Sequence, residues 1–119
     1  MPLVTFDVGP EVTPEQREQI SVATQRAIVR SLGTPEGDLF QKFHLHGPGE
    51  LVSDPTWGEV DRRDVLYIDI LMVRENHSDP EVRSMFESIA DELQEVGLRR
   101  DDIFISVHSN GGADWFAGA

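Results

Sequence analysis

Chemistry enters this sequence at its second residue. Pro2 follows the initiating methionine and opens the apolar stretch "PLVTFDV". Methionine aminopeptidases act readily before small residues, and proline qualifies. Removal of Met1 leaves a secondary amine at the chain start. Such a terminal amine titrates at about pH 7.7–8.0, close to working pH. Apolar surroundings favour its neutral form, a general base, and a neighbouring carboxylate favours the cation, a general acid. Either form can move a proton alpha to a carbonyl or onto a carbonyl oxygen. The pyrrolidine ring fixes φ and holds the nitrogen stiffly. Proline at position two also has a plain structural reading, because the first residue of a strand tolerates it.

Other side chains widen the choice. Arg74 closes the apolar run "LMVREN". A guanidinium at a strand end can clamp a carboxylate through two parallel hydrogen bonds, or it can simply be solvated. Asp38 in "PEGD" has natural turn chemistry. His44 and His46 alternate in "FHLH" and so face the same way. With His77 or His108 they would make candidate metal ligands, but no third ligand stands at a recognisable spacing, and no metal site is expected. Asp69 lies inside "VLYIDILMV", where a buried carboxylate needs a partner. An inter-subunit hydrogen bond is expected there. The chain has no cysteine, which excludes disulfides, thiolate catalysis and cysteine-bound metals. No phosphate-cradling glycine motif is present, so no nucleotide or other cofactor is expected.

Positioning these residues requires strands and helices, and the pattern supplies both. Val4, Phe6 and Val8 alternate, which is strand periodicity. Thr13, Pro14 and Gln16 form a capping box with proline in the first turn of a helix. Ile20, Ala23, Ala27 and Ile28 line its apolar stripe, and Gly33 ends it. "LFQKFHLH" reads as a second strand. "GPGELVSDPTWGEVDRRD" is rich in turn residues and reads as loop. "VLYIDILMV" is the most apolar segment and reads as a central strand. Ser78 and Glu81 cap a second helix, whose apolar stripe runs from Val82 to Val96 before Gly97. "DIFISVHS" is a fourth strand, and "NGGADWFAGA" a short tail.

The order β-α-β-β-α-β also repeats. "GTPEGDLFQKFHLH" aligns without gaps on "GLRRDDIFISVHSN", matching Gly33 to Gly97, Asp38 to Asp102, Phe40 to Phe104 and His44 to His108. We read one domain over residues 1–119 with pseudo-repeats at about 2–46 and 65–110. Right-handed crossovers then give an α+β fold, a four-stranded sheet with both helices on one face. The opposite face stays open, and its apolar residues call for a cover, most simply other copies of the chain.

The bulk numbers narrow the partners. A net charge of −12 argues against nucleic acid and anionic membranes, since phosphates are repelled over most of the surface. A small acid is still admissible if a local arginine overrides that field. No basic n-region with an apolar run marks a signal peptide, and no apolar stretch reaches the ~18 residues of a membrane span. A soluble, cytoplasmic protein is expected.

Taken together, the proline at position two, the duplicated halves and the sheet in need of partners resemble the tautomerase superfamily. The likeness is to its malonate semialdehyde decarboxylase branch and covers nearly the whole chain. It is carried by the "PL–FD" opening, "GTPEGDLFQ" after the first helix, "H-GPGELV" after the second strand, Arg74 and "ADWF" in the tail. The resemblance implies a free N-terminal proline as catalytic residue, a homotrimer, and no cofactor. It implies that Arg74 binds the substrate carboxylate, that Asp38 works beside the proline, and that Trp115 and Phe116 wall the pocket. One position departs. Where the decarboxylase pattern has a second arginine, this chain has Asn76, which can hydrogen-bond a carboxylate but adds no charge. Weaker acid binding or a different substrate is the consequence. The family tail also runs longer, so a more open pocket is expected.

The function expected on this basis is cofactor-independent turnover of a small carbonyl acid, foremost decarboxylation of malonate semialdehyde. Keto–enol tautomerisation of a 2-oxo acid is the alternative. Hydration of a 3-haloacrylate or 3-halopropiolate is a side activity that the resemblance implies. A different class is a non-catalytic oligomer that only binds a small acid. A ferredoxin-like dimeric barrel shares the element order but gives proline no reason to stand second.

Overall fold

The computed structural model describes residues 2–118. Four strands and two long helices follow the expected order: β1 (Pro2–Val8), α1 (Pro14–Leu32), β2 (Phe40–Leu45), β3 (Leu66–Val73), α2 (Asp79–Glu95) and β4 (Ile103–Asn110). Short 3-10 turns stand at Arg100–Asp102 and Gly112–Asp114.

Both helices begin where local chemistry tells them to. Thr13 accepts from the Gln16 backbone N–H while the Gln16 side chain accepts from Thr13 N, and Ser78 and Glu81 repeat the arrangement. Each pair satisfies two donors that the first helical turn leaves open. Gly33 ends α1 at φ 69°, a left-handed conformation that costs a glycine nothing. After α2, Val96 caps and Gly97 turns the chain at φ 96°.

The strands form one mixed sheet in the order β2-β1-β3-β4. β1 runs parallel to β2, with Leu3 opposite Phe40, and antiparallel to β3, with Pro2 opposite Met72. β3 runs parallel to β4, with Tyr67 opposite Phe104 and Val73 opposite Asn110. Tyr67–Phe104 is the repeat image of Leu3–Phe40, so the two β-α-β halves are related as the sequence alignment requires. α1 and α2 pack on one face. Val4, Phe6 and Val8 of β1, Leu66, Ile68, Ile70 and Met72 of β3, and the stripes of both helices make the core beneath them. Phe6 stacks on Phe43 with ring centroids 4.5 Å apart. Truncating a fully enclosed side chain such as Ile68 to alanine should cost about 2–5 kcal/mol.

On the outer face the β3 residues are half-buried within one chain, and the Asp69 side chain is 48% exposed, with Oδ1 3.3 Å from His108 Nε2. Farther down this face, Tyr67 meets Phe104 edge-on at 5.6 Å, and Arg62 lies 5.5 Å over the Phe104 ring. Among the described residues no helix is long and apolar enough to cross a membrane.

Candidate functional site

Strand register decides which residues meet. Pro2 is the buried first residue of β1 and lies opposite Met72. Arg74 stands two residues beyond Met72, a displacement on the order of 7 Å along the strand axis. In the parallel pair, Phe40 lies opposite Leu3. Residues 39 and 38 therefore run out alongside the start of β1. Asn110, opposite Val73, ends β4 at the same level. The start of β1 and β2 and the finish of β3 and β4 thus share one end of the sheet.

Asp38 is half-buried and closes a short turn. Its N–H donates to the Pro35 carbonyl at 3.0 Å, and its own carbonyl accepts from Gln25 Nε2 at 3.2 Å. Helix α1 thereby fixes the backbone that carries this carboxylate. Arg74 is held on two sides. Its carbonyl accepts from His77 N at 2.8 Å, closing the turn that contains Asn76, and its Nη2 donates to Asp79 Oδ1 at the start of α2. Its side chain is 33% exposed. Asn76 is exposed on that turn. Next to it, the hydrogen bond from His77 and the Ser78 N–H hold the Glu81 carboxyl below the usual carboxylate range.

The tail folds back on this end. Asp114 Oδ2 accepts from Gly111 N at 2.7 Å and closes the Gly112–Asp114 turn. The Trp115 indole N–H then donates to Asn110 Oδ1 at 3.1 Å and draws the half-buried indole against the end of β4. Phe116 is 86% exposed and does not share that contact surface. Pro2, Asp38, Arg74 and Trp115 are thus gathered at one sheet end, Asn76 stands on its rim, and Phe116 is exposed in the tail.

Two partners at this end were not singled out by sequence: Asp79, bonded to Arg74, and Asn110, bonded to Trp115. Asp79 looks like an ordinary acidic residue in a first helical turn. Asn110 looks like the first residue of a loop. The histidine pair gains a use as well. His44 Nδ1 and His46 Nε2 converge on Asp7 Oδ1 at 3.2 and 2.7 Å.

Chemically, a proline whose nitrogen becomes a secondary amine if Met1 is removed, a carboxylate, a guanidinium and an indole stand at one sheet end. Residues 38–118 match a protein family described as "Tautomerase enzyme". The chain is 24% identical to the probable tautomerase YusQ of Bacillus subtilis (strain 168), over 99% of this chain and 94% of that one. It is 21% identical to the probable tautomerase YrdN of the same organism, over 99% and 92%. Among solved structures it is similar to a malonate semialdehyde decarboxylase inhibited by 3-bromopropiolate. There the TM-score is 0.92 and the identity 25%, covering 98% of this chain and 89% of the other. A second malonate semialdehyde decarboxylase structure, described with decarboxylase and hydratase activities, gives 0.91 at 25% identity, covering 98% and 91%.

Proposed function

This chain belongs to the tautomerase enzyme family, and from that premise we propose that Pro2, freed by removal of Met1, is the general acid and base for a small carbonyl acid, malonate semialdehyde first. The observation that carries this reading is the placement of Pro2, buried at the sheet end that also gathers Asp38, Arg74 and Trp115.

The steps follow from the groups. The substrate carboxylate docks on Arg74, with Asn76 adding a neutral hydrogen bond. Asp38 favours the protonated amine, as a carboxylate does for a nearby cation. The Pro2 N–H then polarises the aldehyde oxygen. The bond between the methylene and the carboxylate carbon breaks, its electron pair forms the enol, and carbon dioxide leaves. As that bond breaks, Pro2 gives its proton to the oxygen; the enol carbon then takes a proton from water, the oxygen returns its own to Pro2, and acetaldehyde results. Trp115 limits water beside the enol. The unit that works is a homotrimer, the outer sheet face being covered by other copies; family neighbours include a protein described as a symmetric trimer.

A second reading has its own support. With Asn76 in place of a second arginine, and with curated relatives described as probable tautomerases, a neutral Pro2 can instead remove a proton alpha to the carbonyl of a 2-oxo acid and return it to the other end of the enol. Both reactions pass through an enol. Proton NMR of mixtures with malonate semialdehyde and with enol-pyruvates separates them. Acetaldehyde formation supports the decarboxylase. Ketonisation without acetaldehyde moves the assignment to the tautomerase. No turnover of either leaves a small-acid binding module.

A further inference from the structure

We propose that Asp79 is a built-in competitor for the substrate carboxylate at Arg74, and that it limits this site to carbonyl acids with a single carboxylate. The inference rests on the reading of Arg74 as the carboxylate clamp.

Three observations carry it. First, the guanidinium is not idle: Arg74 Nη2 donates to Asp79 Oδ1. A guanidinium fork binds one carboxylate through two parallel N–H groups. With Nη2 engaged, an incoming carboxylate displaces Asp79 or binds through the remaining donors alone. Second, Asp79 can let go. Its side chain is 93% exposed, so water replaces the arginine readily and the pair is weak. It also opens α2, so the positive end of the helix dipole offers its carboxylate a favourable place without Arg74. Third, nothing else at this turn offers spare positive charge. Glu75 and neutral Asn76 follow Arg74 in sequence, and the His77 ring faces Glu81 Oε2 at 3.1 Å. One cation thus sits among Glu75, Asp79 and Glu81. A single carboxylate is bound by exchange with Asp79. At this turn a second carboxylate finds Asn76 and the acidic side chains of Glu75 and Glu81.

The test is Asp79→Asn, which keeps a polar residue at the helix start and leaves the Ser78 cap in place. Propionate and malonate serve as unreactive probes, titrated by NMR. Propionate should bind three- to tenfold more tightly to Asp79→Asn than to wild type, and Arg74→Ala should remove the gain. In wild type, malonate should bind no more tightly than propionate. With turnover, KM for the carbonyl acid should fall by a similar factor, while kcat stays unchanged. Glu75→Gln separates direct competition from general charge and should leave KM within twofold. If Asp79→Asn binds propionate no better, or Glu75→Gln gains equally, the competition is refuted. A wild-type preference for malonate refutes the one-carboxylate limit, and absence of propionate binding in every variant refutes both. Tighter propionate binding by Asp79→Asn without any turnover sustains the inference and sinks the enzyme reading. Should Asp79→Asn melt, Asp79→Ser carries the same test.

Discussion

The two ends of the sheet were built from one plan and hold different things. At one end β1 opens with Pro2, and Asp38 precedes β2. At the other, β3 opens with Leu66, and Asp102 precedes β4. The aspartates occupy equivalent positions in the repeat, and the Asp102 carboxylate serves as a structural tie. It is 6% exposed and accepts from Arg63 N at 2.7 Å, Asp64 N at 3.3 Å and Arg99 Nη1 at 3.2 Å. Residues 63 and 64 are the chain arriving at β3. Asp102 ties that arriving chain down. Beside it lies a cavity of about 220 Å³, lined by Leu66, Gly97 and Arg99 among others. At the Pro2 end Asp38 is half-buried in its turn, just before β2 pairs with the start of β1. Duplication supplied two copies of one turn aspartate. The copy beside residues 63 and 64 is a strut, and the copy at the Pro2 end is the one we assign to chemistry.

That contrast can be broken from either end. The largest effect should come from Pro2→Ala. Loss of general acid–base help should lower kcat by about 10²–10⁴-fold, with an unchanged circular dichroism spectrum. Near-normal turnover would end the assignment. Next comes the aspartate pair. Asp102→Ala removes the acceptor of three part-buried donors and should destabilise the fold by about 1–3 kcal/mol in urea titrations. Asp38→Ala should change stability by less than about 1 kcal/mol but lower kcat at least tenfold. If the two variants behave alike, the division of labour is wrong. Arg74→Ala should then raise KM for the carbonyl acid roughly tenfold or more while sparing an uncharged carbonyl, because a charge-assisted contact made in the ground state is lost. Equal loss on both substrates would make Arg74 structural. The smallest effect belongs to Asn110→Ala. It should release Trp115, seen as a red-shifted tryptophan emission, and raise KM a few-fold. An unchanged spectrum would mean that the indole is held by other contacts.

What the sequence revealed follows from the range of the forces involved. Both capping boxes are read within four residues, and one four-stranded sheet with both helices on one face follows from strand periodicity, right-handed crossovers and the repeat. The gathering of Pro2, Asp38 and Arg74 came from resemblance, and the register of Pro2 on Met72 supplies its geometry. The apolar run around Asp69 marks a central strand without saying what covers its second face. Asp79 and Asn110 escaped notice because their meaning lies in the partner. An acid at a helix start and an asparagine before glycines are ordinary in themselves. Only the turn at Arg74 and the returning tail give them work.

The central claim is that Pro2 is a free, reactive amine next to an acid-binding site. The direct measurement is intact mass of the purified protein before and after exposure to 3-bromopropiolate, with the adduct mapped by peptide sequencing. The account predicts a chain lacking Met1 that takes up one equivalent of label on Pro2, with labelling slowed in Arg74→Ala. A retained Met1, or a free Pro2 that stays unlabelled, would contradict it.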